Sequence, residues 1–363
     1  MIRHRVLRVM AGRVANPTMP NMMQEIGGYR LIHRLGRGGM ADIWGARHLT
    51  LDRDAAIKVA RADRLPPGCA DLVRTQFETE ARITASLCSP HTVRVFDSGI
   101  TRAGVPFYAM ELLRGCDLQA VVRRFGPLPA ERALHLLTQV CHSIAEAHAC
   151  GVLHRDLKPA NLFVCRVGLD YDVAKVLDFG LASRERERVG GASPGLSAFT
   201  LGTPSYMAPE VIAGDPVDER ADVYSLGCVA YFLLTGSPVF ESDSLSQVLA
   251  QHLRAQPHAP SVKAECAIPL ALDELVLDCL QKDPSRRPRN ASALRYRLVG
   301  IDHGRWSQRK AMTWWQMHLP EYTLPVTSVG ERAQPASGAW TASIESHGSP
   351  LCPSLDALAQ SRF

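Results

Sequence analysis

Two short motifs in the middle of the chain carry its strongest chemical signal. Residues 154–161 read H-R-D-L-K-P-A-N, and the tripeptide D-F-G begins at Asp178, seventeen residues after Asn161. Asp178 and Asn161 offer the oxygen ligands that Mg²⁺ prefers. Asp156 can accept the proton of an incoming hydroxyl group, and Lys158 can offset negative charge on a group in transfer. The spacing therefore predicts a fold that brings both motifs to one polyphosphate.

A glycine-rich stretch lies earlier in the chain, where residues 36–41 read G-R-G-G-M-A. Such a loop lets backbone N–H groups approach a polyphosphate closely. A dinucleotide-binding fingerprint also allows Ala at its third position, but that fingerprint opens a helix. Here the loop lies between two strand patterns, so it predicts a flap that connects strands. An ordinary tight hairpin is the alternative.

Lys58 lies in an apolar strand pattern, between Ile57 and Val59. An isolated buried ammonium group is costly, so this lysine needs an anionic partner. Phosphate oxygens together with the carboxylate of Glu80, on the next predicted helix, would satisfy it. A surface lysine that extends its ammonium group into water is the alternative interpretation.

Strand patterns come first along the chain, and helical patterns come later. Alternating apolar residues predict strands within 29–60, at 92–96 and at 105–111, with a helix over 71–88 between them. After Gly115 the pattern becomes helical. The predicted later helices cover residues 130–150, 220–236, 268–281 and 290–299. This order predicts two lobes, or an α+β arrangement.

Charge and composition exclude several classes of protein. The net charge is +5, but residues 1–20 hold four arginines and no acid, and residues 302–363 hold five basic and five acidic side chains. The span between them keeps only +1, which argues against a nucleic-acid-binding face. No apolar run of 18 residues and no secretory signal pattern is present, so we expect no transmembrane segment.

The ten cysteines are scattered, and none forms a C-x-x-C pair. A zinc ribbon or a thioredoxin-type site is therefore not expected. Disulfide frameworks belong to small secreted chains. The pattern favours reduced, half-buried thiols in a cytoplasmic protein.

Taken together, the motifs resemble the eukaryotic-type (Hanks-type) protein kinases, and most closely the bacterial serine/threonine kinases. The resemblance covers residues 29–300 and comprises the glycine loop, the A-I-K lysine, H-R-D-L-K-P-x-N, D-F-G and A-P-E in the family's order. Residues 202–210, G-T-P-S-Y-M-A-P-E, are similar to the serine/threonine class. The resemblance implies an α+β, bilobal protein-kinase fold. Its small N-lobe is β-rich with one main helix, and its larger C-lobe is mostly helical.

The resemblance and the composition divide the chain into three parts. These are a basic flexible leader (1–28), a protein kinase domain (29–300) and a disordered tail rich in Pro, Ser, Thr and Gly (301–363). The domain divides further into an N-lobe (29–110), a hinge (111–116) and a C-lobe (117–300). Three tryptophans near the start of the tail, Trp306, Trp314 and Trp315, are expected to pack back on the domain. Binding of a partner is the alternative for them.

The same resemblance implies a role for each motif residue toward ATP and a divalent metal ion. Asp156 is the implied catalytic base, and Lys158 assists the transfer. Asn161 and Asp178 are the implied ligands of Mg²⁺, for which Mn²⁺ is an alternative. Lys58 would contact the α- and β-phosphates. The residues implied to surround the nucleotide are Leu35, Gly36, Gly38, Gly39, Ala41, Ile43, Ala56, Lys58, Glu80, Met110, Glu111, Leu113 and Phe163.

Two structural anchors are also implied by the resemblance. Asp222 would brace the backbone of the catalytic loop, and Arg287 would form a buried ion pair with Glu210 that serves registry more than stability. Thr203 would form a hydrogen bond near Asp156.

Regulation is implied at the activation segment, residues 181–207. In the family, an arginine such as Arg155 is matched to a phosphate on this segment. Autophosphorylation is therefore expected there, with Ser193, Ser197 and Thr200 as candidate acceptors and Ser197 or Thr200 preferred. Self-association of two chains would serve this reaction.

The expected partners are ATP and protein substrates with Ser or Thr acceptors, and not nucleic acid. Two other functions compete with an active protein kinase. One is a kinase-like scaffold without activity, against which the complete set of catalytic residues argues. The other is a small-molecule phosphotransferase on the same fold, whose members generally lack the segment found at 202–210.

Overall fold

The computed structural model describes residues 25–38, 41–61, 70–179 and 204–323, which form two lobes. The N-lobe is built on a six-stranded antiparallel sheet with the strand order β1-β2-β3-β4-β6-β5. Its strands are β1 (Glu25–Ile26), β2 (Tyr29–Arg37), β3 (Ala41–His48), β4 (Asp54–Ala60), β5 (Val95–Ile100) and β6 (Pro106–Glu111). A single helix, α1 (Ala70–Ser86), accompanies this sheet.

Both faces of the N-lobe sheet carry buried apolar residues, and these form two separate clusters. Successive side chains of a strand point to opposite faces. On one face, Ile57 and Ala109 belong to an apolar cluster with Tyr29. On the other face, Met110 belongs to a cluster with Phe77 of α1. The helix therefore packs against the face of β4 and β6 from which Lys58 and Tyr108 also project.

The C-lobe combines a small sheet with a group of helices. Its strands, in the order β7-β8-β9, are β7 (Gly115–Asp117), β8 (Leu162–Val167) and β9 (Asp170–Val176). Its helices are α2 (Leu118–Phe125), α3 (Ala130–Ala149), α4 (Pro209–Ala213), α5 (Glu219–Thr235), α6 (Leu245–Arg254), α7 (Pro260–Lys263), α8 (Leu270–Cys279), α9 (Ala291–Val299) and α10 (Gln308–His318). The bilobal α+β fold implied by the resemblance is confirmed.

Helix α5 forms the centre of the C-lobe and is buried along almost its whole length. Its first turn is capped by the carboxylate of Asp218, which accepts a hydrogen bond from the Arg220 amide. It ends at Gly236, whose φ of 77° is left-handed, a conformation that favours glycine. A helix that is apolar on all sides belongs in a core, and α5 supplies the rigid support for the site described below.

The structure corrects two boundaries predicted from sequence in the N-lobe. Residues 25–28 belong to the N-lobe and not to the leader, because β1 (Glu25–Ile26) pairs with β2 and residues 27–28 form the turn between them. The strand predicted at 92–96 is displaced: β5 begins at Val95, and Thr92 makes only an isolated bridge with Val176. The leader before residue 25 lies outside the described residues.

The prediction of a disordered tail is wrong for residues 301–323. This stretch contains α10, and Trp306 and Trp315 are 6% and 0% exposed within the C-lobe core. The expected packing of the tryptophans on the domain is confirmed. The composition of the whole tail concealed this short segment, whose buried rings overcome the cost of ordering it. Residues 324–363 lie outside the described residues.

Glu210 and Arg287 form the buried ion pair that the resemblance implied. The Arg287 guanidinium donates to both Glu210 carboxylate oxygens, at 2.7 and 2.9 Å, and both residues are buried. It also donates to the carbonyl oxygens of Gln281, Arg220 and Lys282 at 2.7–3.0 Å. The pair thus ties α4 to the segment between α8 and α9.

We expect Arg287→Met to lower the free energy of unfolding by about 3–5 kcal/mol, because it leaves the Glu210 carboxylate buried without its partner. Chemical denaturation monitored by circular dichroism measures this loss. Arg297→Met is the matched control, since Arg297 pairs with Asp278 where both side chains are more than 40% exposed. That exposed pair should contribute about 1 kcal/mol or less. Equal losses in the two variants would contradict the assignment.

Within the four described ranges, no helix is long and apolar enough to cross a membrane.

Candidate active site

Lys58 joins the N-lobe to the D-F-G motif through two ion pairs. Its Nζ lies 2.6 Å from Glu80 Oε1 and 2.8 Å from Asp178 Oδ1. Lys58 projects from β4, Glu80 from α1, and Asp178 follows β9. Tyr108 OH donates to the same Glu80 oxygen at 2.9 Å. The carboxylate partner predicted for Lys58 is therefore present, and the surface-lysine alternative is wrong, since the Lys58 side chain is only 12% exposed.

Lys58 and Asp178 stabilise each other's charged forms, whereas burial raises the pKa of the Glu80 carboxyl above its ordinary value. Burial alone would lower the pKa of Lys58, but the carboxylates of Asp178 and Glu80 raise this pKa well above its ordinary value. Burial would also raise the pKa of Asp178, but the Lys58 ammonium group holds it below its ordinary value. The lysine is thus fully charged and Asp178 is ionised at neutral pH. An ammonium group and a carboxylate in these states suit a site for phosphate and a cation.

Asp222 of α5 holds the backbone of the catalytic loop through hydrogen bonds. Its carboxylate accepts hydrogen bonds from the backbone amides of His154 (2.8 Å) and Arg155 (2.9 Å) and from His148 Nε2 (2.9 Å). Burial would raise the pKa of Asp222, but these hydrogen bonds, that of His148 foremost, lower it. The bracing role expected for Asp222 is confirmed. Arg155 has a φ of +64°, a disfavoured conformation that these bonds stabilise.

His154 connects the catalytic loop to the D-F-G motif. Its Nε2 donates to the Leu177 carbonyl oxygen at 3.0 Å, and its Nδ1 accepts the Asp156 amide at 3.3 Å. These partners make Nε2 the donor and Nδ1 the acceptor of the ring. The Leu177 amide in turn donates to the Asn161 carbonyl oxygen at 2.9 Å. The two motifs that the sequence separates by seventeen residues thus meet side by side.

Asp156, Lys158 and Asn161 form a compact polar group. Lys158 Nζ donates to Asp156 Oδ2 at 2.7 Å, and Asn161 Nδ2 donates to the same oxygen at 3.0 Å and to the Asp156 carbonyl oxygen at 2.8 Å. Two donors on one oxygen hold the Asp156 carboxylate in a single orientation and leave its other oxygen without a bond to this pair. An oriented carboxylate beside an ammonium group can accept a proton next to a developing negative charge.

An apolar surface lies between the glycine loop and the end of β6. Ala56 and Met110 are buried in one cluster, and the half-buried side chains of Leu35, Ile43 and Leu113 pack against them. These five residues come from four neighbouring segments and are those implied to contact an adenine ring. Phe163, which the resemblance also implies beside the adenine, is buried on β8 opposite Lys175.

The resemblance also implies that backbone groups of Glu111–Leu113 contact the base. The Glu111 amide donates to the Arg94 carbonyl oxygen at 2.9 Å, so this N–H is already used within the structure. Its side chain is also engaged, with the Arg94 amide at 2.9 Å and with Lys175 Nζ at 2.7 Å. The expected contact with a bound base is therefore left to the other backbone groups of Glu111–Leu113.

The glycine loop joins β2 and β3, so it connects strands as the sequence predicted. The Gly38 amide donates to the Ala41 carbonyl oxygen at 2.8 Å, and Gly36 pairs with Ile43 across the sheet. Gly39 lies outside the described residues. The dinucleotide-binding alternative is wrong, because no helix follows the loop.

The donor set fits a divalent cation held mainly by its phosphate ligands. Asp178 and Asn161 supply only oxygen, the ligand type preferred by Mg²⁺. Because Asn161 Nδ2 donates to Asp156, the side-chain oxygen Oδ1 of Asn161 is the atom that could bind a cation. No group of three His, Cys, Asp or Glu side chains in the described ranges is placed to hold a metal. Mg²⁺ typically binds one or two carboxylates together with substrate phosphates, so two protein ligands are sufficient.

Several residues of this site carry no signal in the sequence. Tyr108 alternates like any strand residue, yet its hydroxyl fixes the Glu80 carboxylate. His148 looks like one more member of an amphipathic helix, yet it donates to Asp222. Its Nδ1 accepts the Ala291 amide at 3.3 Å, which binds α9 to the same network. Only the fold brings these distant residues together. Thr203 and Gly180 lie outside the described residues.

A two-lobed fold in which the catalytic loop and the D-F-G motif meet at one site defines a protein kinase. Comparisons with known proteins agree with this assignment. The protein kinase domain family matches residues 29–299, and the chain belongs to this family. Protein kinases generally act with ATP and a divalent metal ion.

Its relatives are bacterial serine/threonine kinases. The chain is 39% identical over 279 residues to serine/threonine-protein kinase PknB of Mycobacterium leprae, covering 76% of this chain and 43% of that protein. It is 36% identical over 278 residues to serine/threonine-protein kinase pkn3 of Myxococcus xanthus, covering 76% and 50%. The chain thus spans about half or less of the length of these relatives.

Solved structures show the same fold. The kinase domain of Mycobacterium tuberculosis PknI has a TM-score of 0.56 and 27% sequence identity, and the match covers 76% of this chain and 97% of that domain. Rad53 in complex with AMP-PNP, at 24% identity and a TM-score of 0.60, shows likeness of fold alone.

Proposed function

We propose that this chain transfers the γ-phosphoryl group of ATP to Ser and Thr hydroxyl groups of protein substrates. The observation that carries the proposal is the joining of two polar groups. Lys58 contacts Glu80 and Asp178 at 2.6 and 2.8 Å, while Asp156 is held by Lys158 and Asn161 at 2.7 and 3.0 Å. The Leu177–Asn161 backbone bond links the two groups.

Each residue has a distinct task in this reaction. The carboxylate of Asp156 orients the substrate hydroxyl and accepts its proton. The ammonium group of Lys158 lies where negative charge accumulates on the transferred group. Lys58 holds the α- and β-phosphates, and the glycine loop covers them. The apolar cluster around Ala56 and Met110 encloses the adenine.

The metal in this proposal is Mg²⁺, with Mn²⁺ as an alternative, held by Asp178 and Asn161. When bound, it neutralises charge on the β- and γ-phosphates. Lys58 supports this site because its ammonium group keeps Asp178 ionised, as the lowered pKa of that carboxyl indicates. Asp156 keeps Asn161 oriented through the two hydrogen bonds from its amide nitrogen.

One observation argues against each of the two competing functions. An inactive scaffold has no need of Lys58, Asp156, Asn161 and Asp178 assembled at hydrogen-bonding distance. A small-molecule phosphotransferase generally lacks the segment found at 202–210. In this chain Glu210, the last residue of that segment, lies in α4 and is anchored by its ion pair with Arg287.

A labelling reaction separates the three functions. The chain is incubated with γ-labelled ATP, Mg²⁺ and a generic protein substrate, and the products are sorted by size. A protein kinase places the label on protein, a small-molecule phosphotransferase places it in the low-mass fraction, and a scaffold leaves it on ATP. Protein substrates in a cell extract can then be identified by phosphosite mass spectrometry.

Autophosphorylation is part of the proposal. Ser193, Ser197 and Thr200 lie outside the described residues, but the backbone amide of Arg155, the residue expected to contact their phosphate, is held by Asp222 at 2.9 Å. Self-association of two chains would allow one to modify the other.

The cytoplasmic location inferred from the cysteines also stays a prediction.

We expect ATP treatment to place phosphate on Ser197 or Thr200, and the variant with both replaced by Ala to lose about tenfold or more in rate, because Arg155 then lacks its phosphate partner. Phosphopeptide mapping and initial rates measure the two effects. Replacing Ser193 alone by Ala is the control. Full activity of a chain with no phosphate in residues 181–207 would contradict this prediction.

A further inference from the structure

Residues 301–323, here called the strap, lie beyond the end of the family match at residue 299 and are nonetheless part of the folded C-lobe. The strap consists of α10 and the residues on either side of it. Helix α10 begins at a Ser307 cap, whose side chain accepts a hydrogen bond from the Lys310 amide. Its exposed residues are mainly polar but include Met312 and Met317, and its inner residues Ala311 and Trp315 are fully buried.

The strap completes a buried charged group centred on Asp172 of β9. The Asp172 carboxylate, 0% exposed, accepts from Arg132 Nε and Nη2 at 2.8 Å each. Its two remaining hydrogen bonds come from the strap: Trp306 Nε1 donates to Oδ2 and Trp315 Nε1 donates to Oδ1, both at 2.7 Å. Each carboxylate oxygen thus has one donor from the domain and one from the strap. The Arg132 guanidinium also stacks on Trp314, 3.7 Å from the ring centre.

The backbone at Asp172 shows why these donors matter. Its φ of +53° is left-handed, a disfavoured conformation for a residue other than glycine. Such a conformation persists where surrounding contacts over-determine it. Four hydrogen bonds to one buried carboxylate do so here, and half of them depend on the strap.

Two further contacts attach the strap to both strands of the β8–β9 hairpin. On β9, the Gln308 side-chain amide pairs with the Tyr171 backbone, accepting from its N–H at 2.9 Å and donating to its carbonyl oxygen at 3.1 Å. On β8, Arg166 Nη1 donates to the carbonyl oxygens of Thr323 (2.8 Å) and Tyr322 (3.3 Å). All these contacts lie near the turn of the hairpin.

The opposite end of the same hairpin carries the two candidate metal ligands. Asn161 comes directly before β8, and Asp178 lies two residues after β9. Leu162 pairs with Val176 at this end, and the Leu177 amide donates to the Asn161 carbonyl oxygen. The hairpin is thus a short rigid element with the strap at one end and both ligands at the other.

From this arrangement we infer that the strap positions the β8–β9 hairpin and, through it, Asn161 and Asp178. Trp306 and Trp315 are the positioning residues, because their indole N–H groups hold Asp172 in its left-handed conformation. The active unit therefore extends to residue 323. The inference rests on the proposed function for the role of the two ligands, and on the structure alone for the control of the hairpin.

The test uses three single variants of the full chain, W306F, W315F and W314F. Each keeps an aromatic ring and removes an indole N–H, but only the first two N–H groups donate to Asp172. Hydrogen exchange measured by mass spectrometry reports on the hairpin without any turnover. We expect exchange at residues 162–177 to become about tenfold or more faster in W306F and W315F, and to stay unchanged in W314F.

A second readout connects the hairpin to the ligands. We expect the Mg²⁺ concentration for half-maximal transfer to rise about threefold or more in W306F and W315F, with the KM for protein substrate unchanged. Hairpin exchange equal to the parent in W306F and W315F, or equally raised in W314F, would overturn the inference. An unchanged Mg²⁺ requirement with faster hairpin exchange would overturn the link to the ligands. A parent chain without phosphoryl transfer would instead refute the proposed function, leaving the exchange result to decide the hairpin.

Discussion

Asp156→Asn is expected to lower kcat by about 10²–10⁴-fold, the usual contribution of a positioned general base. The substitution keeps the shape of the side chain and a carbonyl oxygen that can still accept from Lys158 or Asn161. It removes the negative charge that takes up the proton of the substrate hydroxyl. The loss should therefore appear in the chemical step, and binding of an ATP analogue should change little.

The measurement combines initial rates of label transfer with nucleotide binding by fluorescence. Asp218→Asn is the matched control, since Asp218 caps α5 in the same lobe and Asn is an equally good N-cap. That variant should keep the rate of the parent. A rate for Asp156→Asn within a few-fold of the parent would show that Asp156 is not the base.

Lys58→Met is expected to lower kcat/KM for ATP by about 10²–10³-fold, the typical effect of removing one preorganised donor to a developing negative charge. The Lys58 ammonium group lies between Glu80 and Asp178, at 2.6 and 2.8 Å. Without it, two carboxylates face the same space, and the pKa of Asp178 is no longer held down. Both phosphate contact and cation binding should therefore weaken together.

Lys175→Met is the matched control for burial. Lys175 is also buried, at 7% exposed, and pairs with a glutamate, Glu111, at 2.7 Å. Both variants should lose stability, because each leaves a carboxylate without its cation. Titration of ATP at fixed Mg²⁺ should separate them, with only Lys58→Met losing activity by orders of magnitude. Equal losses of activity would attribute the effect to a missing buried lysine and not to the site.

The central residues of the site could be predicted because phosphoryl chemistry restricts both residue type and spacing. For Lys58, the apolar strand alone favoured a surface lysine, and only the resemblance of the combined motifs selected Glu80 as its partner, which is found at 2.6 Å. The bilobal fold followed from the resemblance of these motifs. Strand and helix boundaries were less certain, as the displacement of β5 to Val95 shows, because local alternation does not define pairing.

Packing of the strap tryptophans on the domain was predicted, but helix α10 and the hydrogen bonds to Asp172 could not be predicted in this way. Asp172 meets Trp306 and Trp315 across 134 and 143 residues, and no local pattern announces such a contact. The composition of residues 301–363 taken as a whole predicted disorder, because it combines the residues of α10 with a longer stretch rich in Pro, Ser, Thr and Gly. Tyr108 carried no signal for a similar reason, since its role depends on where α1 packs.

The most direct measurement compares the parent chain with Asp156→Asn in transfer from γ-labelled ATP, followed by identification of the labelled amino acid. We expect label on phosphoserine and phosphothreonine of a protein substrate, loss of transfer when EDTA removes the divalent metal, and loss of about 10²–10⁴-fold in the variant. Label on a small molecule or on tyrosine, or equal transfer by Asp156→Asn, would contradict the function proposed for this chain.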